Sequence, residues 1–274
     1  MRATVKSTLV RPDGARIRYE IHGRRGGIPV LLIARGGMRS SSRMWSDPRS
    51  VWDPLARLSH DKYRLIAMDQ RMSNLDQRLP DDHDVGWETF RDDQVALLDH
   101  LGIERCHVLG SCIGPSYALQ LLRDHPGRFE RAVLLQPIGV NVHTTEPVGW
   151  EGTNGGCERG HWFGDWAAEM REAGLASARS LDGLHRNMFG PGRTDFVFSV
   201  TRDDVRERIP HRLLVLCGRD IFHPAETARE IARIAGPRRA ELIEEWRDVG
   251  PEKLAAAERA IDEFLSDGRG LVPA

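Results

Sequence analysis

The chain has 274 residues, room for one large domain or two small ones with a sizeable core. Lys and Arg number 39 and Asp and Glu 40, so the formal charge is −1, with no electrostatic footprint for nucleic acid or an anionic membrane. No apolar run approaches the ~18 residues of a membrane span. The opening MRATVKSTLVRPDG lacks the apolar stretch of a secretory leader. Four cysteines, Cys106, Cys112, Cys157 and Cys217, are too few for a disulfide scaffold and read as reduced thiols in a cytoplasm.

In chain order, Thr4–Val10 and Arg16–His22 alternate apolar and polar residues around a Pro-Asp-Gly-Ala turn, which predicts an antiparallel hairpin. Continuous apolar runs follow at Pro29–Ala34, Tyr63–Met68, Cys106–Gly110, Arg131–Leu135 and Arg212–Cys217. Runs of this kind fit parallel strands covered on both faces. Amphipathic helices are expected between them: one with Phe90, Leu97, Leu98 and Leu101 ending at Gly102, one running from Cys112 to just before Pro126, and one opened by Pro224. A last strand is read at Ala240–Trp246, before a terminal helix bearing Leu254, Ala257, Ile261, Phe264 and Leu265. Strand–helix alternation predicts an α/β layered domain. The rhythm breaks at 141–205, which is rich in Gly, Trp and His and has two short helical stretches, Trp162–Ala173 and Ala176–Met188. The expected division is a core of residues 1–140 and 206–274 and a helical lid at 141–205, at the sheet end where open α/β sheets bind ligands. A packing subdomain without ligand contact is the alternative.

The chemistry-bearing segment is Gly110-Ser111-Cys112-Ile113-Gly114, between a predicted strand and a predicted helix. This spacing suits a nucleophile on a sharp, strained turn: small residues two positions to either side let the turn close. The following helix aims its N-terminal N–H groups at the same point, which stabilises an oxyanion and favours a thiolate. The plain alternative is a small buried thiol in a tight turn.

From these residues the chain resembles an α/β-hydrolase-fold protein over nearly its whole length. PVLLIARGGMRSSSRMW is similar to the third strand and oxyanion loop of that family, with Arg35 where the family usually has His. LIAMDQRMSNLD keeps an Asp-x-Arg turn at Asp69 and Arg71 but lacks the usual glycines, and LLVLCGRDIFHP resembles the acid-bearing strand, with Asp220 at the matching position. HVLGSCIGPSYALQLLRDHPGRFERAVLLQPIG matches best, with Cys112 in place of the common Ser. The resemblance implies a mostly parallel sheet flanked by helices. It also implies an oxyanion hole from the backbone N–H groups of Gly37, Met38 and Ile113.

One part of the family pattern is missing. The base should be a His after the last strand, yet no His follows His223. Three readings stay open. His223, three residues past Asp220 and ahead of Pro224, would serve as base, kept neutral by a helix N-terminus; the alternative is a capping or loop His. A base would instead come from His143, His161 or His185. Or no base exists, and Cys112 acts through its own thiolate on activated acyl donors.

Arg35 would hold a substrate carboxylate or phosphate, unless a neighbouring carboxylate pairs with it. Trp150, Trp162 and Trp166, with Met170 and Met188, would line an apolar pocket or form the lid's own core. Asp69 and Arg71 read as structural, and Cys106 and Cys217 as packing residues. Cys157 and His161 lack a second ligand pair, so no metal is expected, and without a glycine-rich phosphate loop no cofactor is expected either. The expected function is hydrolysis of an ester, thioester or lactone through a Cys112 acyl-thioester, with catalytic Cys112, Asp220 and His223. Acyl transfer, cyclisation or lyase chemistry is the alternative, and a catalytically silent small-ligand-binding protein the second. The expected partner is a small-molecule substrate, and a homodimer is left open.

Overall fold

The computed structural model describes residues 4–47, 52–81, 84–139, 163–190, 197–220, 222–247 and 249–267. The apolar runs become strands: β1 Val5–Val10, β2 Arg16–Gly23, β3 Ile28–Ile33, β4 Tyr63–Met68, β5 Cys106–Ser111, β6 Phe129–Leu135, β7 Arg212–Leu216 and β8 Ala240–Ile243. They form one sheet in the order β1-β2-β4-β3-β5-β6-β7-β8. β1 and β2 form the expected hairpin, and β2 runs antiparallel to β4. Every pairing from β4 through β8 is parallel. The α/β-hydrolase fold implied by the resemblance is therefore present.

The two-residue period of the strands divides the core. Leu31 and Ile33 of β3 point to one face, and Val30 and Leu32 to the other. The first face is covered by α2 (Trp87–His100), α3 (Gly114–Asp124) and α6 (Ala225–Ala235), and the second by α1 (Pro54–Arg57) and α7 (Pro251–Ser266).

Two of the boundaries that differ from the sequence reading have a clear local reason. β8 stops at Ile243 rather than Trp246, because its partner β7 ends at Leu216, opposite Ile243. Trp246 turns inward instead, is fully buried, and donates its indole N–H to the Cys217 carbonyl (2.7 Å). α3 starts at Gly114 rather than Cys112, because Cys112 has φ 62°, outside the helical region.

Two helices of the insertion are described, α4 (Gly164–Glu172) and α5 (Ala178–Phe189). Among the described residues they form no separate core. Trp166, Met170, Leu184 and Met188 join the cluster that holds α2 and α3. Buried polar bonds tie them down: Trp87 Nε1 donates to the Met188 carbonyl (2.7 Å) and Leu79 N–H to the Leu175 carbonyl (2.8 Å).

Candidate active site

Cys112 sits between the end of β5 and the start of α3, at the C-terminal edge of the sheet. Its φ of 62° is a conformation that costs a non-glycine residue about 1–3 kcal/mol. The sheet imposes it from both sides: Cys112 N–H donates to the Leu135 carbonyl (3.0 Å), and Ile138 N–H to the Cys112 carbonyl (3.3 Å). The flanking glycines permit it. A Cβ at Gly110 would run into the backbone of Gly114, and one at Gly114 into the carbonyl of Ile33.

A second loop meets the elbow from beyond β7. A Cβ at Gly218 would overlap the carbonyl and Cβ of His223, so its lack of a side chain lets the loop fold back on itself. Asp220 pins that fold. Its Oδ1 accepts the backbone N–H of Phe222 (3.0 Å), the backbone N–H of His223 (3.0 Å) and the His223 Nδ1–H (2.7 Å). With Nδ1 donating to the carboxylate, Nε2 is the nitrogen left to face the Cys112 thiol. It is buried without an oxygen or nitrogen acceptor, and the Cys112 thiol is the group coupled to it, by charge first and hydrogen bonding second.

The electrostatics follow from this arrangement. Burial alone would raise the Cys112 pKa, but the charge of His223, its hydrogen bond and the backbone N–H groups of Gly36 and Ile113 outweigh burial, and the thiol is lowered. Burial alone would depress His223, but the Cys112 charge and the Asp220 hydrogen bond and charge outweigh it, lifting the imidazole to about 9. Desolvation works against ionised Asp220 too, yet His223 and Arg247 hold its carboxyl far below the usual carboxylate range. Both shifts run in the same direction, toward thiolate on Cys112 and imidazolium on His223. The sequence reading expected the helix N-terminus to keep His223 neutral; two anionic neighbours override that effect.

Of the residues named from sequence, Cys112, Asp220 and His223 come together. The backbone N–H groups of Gly36 and Ile113 face the Cys112 sulfur, and the oxyanion donors read from the sequence, Gly37, Met38 and Ile113, lie on the same two turns. The consecutive positive φ of Gly36 (114°) and Gly37 (58°) fold the end of β3 into a 3-10 turn, Gly37–Arg39, and Met38 is buried within it. Arg35 pairs with a carboxylate, its Nη2 lying 2.9 Å from Asp47 Oδ1. Trp166 is fully buried and donates to the Met72 carbonyl (3.3 Å), so it packs in the core rather than facing an open pocket. Trp150, Trp162, His143, Cys157 and His161 lie outside the described residues. His185 lies on α5 against Phe163 and Phe189, not at the thiol.

Asp69 accepts the backbone N–H and hydroxyl of Ser42 (2.7 and 2.8 Å), and Arg71 makes a buried pair with Asp93 (2.6 Å), both structural. Among the described residues no group of three His, Cys, Asp or Glu side chains is arranged to hold a metal ion. Two surface cavities, of about 520 Å³ beside Asp13 and Arg71 and about 710 Å³ between α4 and α5, are lined by neither Cys112 nor His223.

Sequence reasoning missed two residues. Arg247 Nη2 donates to Asp220 Oδ2 (2.7 Å), and its Nη1 to Gln136 Oε1 (3.1 Å). A usable signal existed for Arg247, which lies just past β8, where the family pattern places a residue against the acid. Gln136 carried none.

A family model described as alpha/beta hydrolase fold matches residues 29–205. The 2-hydroxymuconate semialdehyde hydrolase of Pseudomonas sp. (strain CF600) is 29% identical over 235 residues, 80% of this chain and 79% of that protein. Among solved structures, a serine hydrolase from the polyaromatic hydrocarbon-degrading bacterium Cycloclasticus zankles superposes with a TM-score of 0.64 at 21% identity, covering 96% of this chain and 98% of the other. A meta-cleavage product hydrolase from Pseudomonas fluorescens IP01 gives 0.63 at 19% identity, with coverage of 96% and 98%. With the elbow, the sheet order and the family model in agreement over more than half its length, the chain belongs to the alpha/beta hydrolase fold family.

Proposed function

We propose that the protein is a cysteine-nucleophile hydrolase acting on activated acyl compounds: esters, thioesters or lactones. The observation that carries this reading is the single constellation of Cys112, His223 and Asp220 at the end of the sheet. The Cys112 thiolate adds to the acyl carbonyl, forming a carbon–sulfur bond and an oxyanion. The backbone N–H groups of Gly36 and Ile113 receive that charge. The oxyanion collapses, the bond to the leaving group breaks, and the His223 imidazolium gives its proton to that group. The imidazole, now neutral, takes a proton from water as the hydroxide adds to the thioester. Collapse releases the acid and restores the thiolate and imidazolium, with Asp220 compensating the ring's charge throughout.

A second reading is hydrolytic cleavage of a carbon–carbon bond next to a carbonyl, favoured by the relative named as a 2-hydroxymuconate semialdehyde hydrolase.

Intact-protein mass after brief exposure to p-nitrophenyl acetate, a thioester and a lactone tests the first reading. An acyl adduct on the wild type, absent from Cys112→Ala and decaying in water, supports it. An adduct that persists until an amine or thiol is added redirects it to acyl transfer. If no donor forms an adduct and the thiol resists alkylation, the covalent mechanism is wrong and ligand binding remains.

A further inference from the structure

The acid of this site has two cationic neighbours, one on each oxygen. Oδ1 is committed to the loop that carries the base, through the two backbone N–H groups and the His223 ring. Oδ2 is held by Arg247 Nη2 at 2.7 Å. The same guanidinium donates through Nη1 to Gln136 Oε1 at 3.1 Å. Gln136 lies one residue past the end of β6, is 3% exposed, and is fixed by its own N–H to the Leu216 carbonyl (2.9 Å). Leu135, its neighbour, accepts the N–H of the nucleophile itself.

Arg247 therefore links the acid to the strand end that anchors Cys112. A planar fork suits this task, because two of its nitrogens reach two acceptors at fixed angles, which an ammonium does not reproduce. The Arg247 side chain is 11% exposed and that of Asp220 38%. With Oδ2 released, the carboxylate would keep its Oδ1 bonds but could turn about them, with water taking the place of the guanidinium.

Resting on the cysteine-hydrolase reading, we propose that Arg247 is a positioning residue, its guanidinium bracing Asp220 from Gln136 so that the carboxylate keeps the His223 ring aimed at Cys112. In this chain the stretch after the last strand supplies a brace for the acid, while the base comes from the acid's own loop.

The test uses p-nitrophenyl acetate turnover and, independently of turnover, the rate of Cys112 alkylation by iodoacetamide at neutral pH. Arg247→Ala is expected to lower kcat by about tenfold or more while KM stays within about twofold. Alkylation should slow in parallel. Arg247→Lys should recover less than about a third of the loss, and free guanidinium added to Arg247→Ala should restore part of it. Because Arg247 acts through Asp220, adding Arg247→Ala to Asp220→Asn should cost little further.

Full kcat in Arg247→Ala, or losses that simply multiply in the double variant, would overturn the inference. Should Arg247→Ala fail to fold, Gln136→Leu removes the brace's anchor with Arg247 and Asp220 intact, and an unchanged alkylation rate there overturns it equally. If wild-type Cys112 alkylates no faster than a free thiol, the hydrolase reading itself falls. Rapid wild-type alkylation with a silent Arg247→Ala removes only the brace.

Discussion

A methyl group at Gly218 would overlap the carbonyl and Cβ of His223, so one hydrogen atom in place of a side chain decides whether the His223 ring reaches the Cys112 thiol. Gly218→Ala is expected to leave the sheet intact and to lower kcat/KM at least about a hundredfold, the usual worth of a positioned general acid–base; circular dichroism beside steady-state kinetics checks both halves. The titration of the pair gives a second expectation. His223 is raised to about 9 and Cys112 is lowered, so the thiolate–imidazolium state exists from the thiol's own titration up to about pH 9. Activity should fall above about pH 9, as the imidazolium loses the proton needed by the leaving group. In Asp220→Asn that alkaline limb should move to lower pH, because the carboxylate that holds the proton on the ring is gone. A kcat/KM profile against pH reads both. The tight Gly110–Gly114 spacing was legible in the sequence because the elbow is local. Arg247 was marked only by its position just past the last strand and Gln136 by nothing, because the carboxylate they serve lies far from both along the chain.

Among the elements, β5, its turn and α3 form the least forgiving unit. A Cβ at Gly114 would meet the Ile33 carbonyl on the adjacent strand β3, a backbone atom that cannot rotate away. Gly114→Ala is expected to cost about 1–3 kcal/mol by overpacking, read as a lower urea midpoint. In the insertion, α4 depends on Trp166, which fills the shared core and caps the Met72 carbonyl. Trp166→Ala should cost about 3–5 kcal/mol by the same measurement, far more than an exposed residue of the same helix would. The helical periods of α4 and α5 could be read directly from sequence. That their apolar faces join the α2–α3 core could not, since an amphipathic stripe does not name its partner. β8 shows the same limit: Glu244, Glu245 and Trp246 continue the extended pattern, but the ladder ends where β7 ends.

For the molecule as a whole, a central strand carries a pH liability. His107 on β5 is fully buried, and burial together with the charge of Arg131 lowers its pKa to about 4. The folded chain keeps this ring neutral while the unfolded chain protonates near 6.5, so the contribution is intact above that pH and is lost as pH falls from about 6.5 toward 4. By pH 5 the loss is about 2 kcal/mol. Urea midpoints at pH 5 and 7 should differ accordingly, and His107→Leu should narrow the difference.

The sequence by itself determined the parallel sheet, the glycine-flanked turn at Cys112 and the absence of any histidine after His223, because strand periodicity, glycine spacing and residue order are properties of neighbours along the chain. Only the tertiary structure decided that His223 turns toward Cys112, that Gly36 shares the sulfur with Ile113, and that Arg247 reaches Asp220. Each of these depends on how loops from separate strand ends converge at one edge of the sheet, and their direction is set by backbone angles and contacts between residues far apart in the chain.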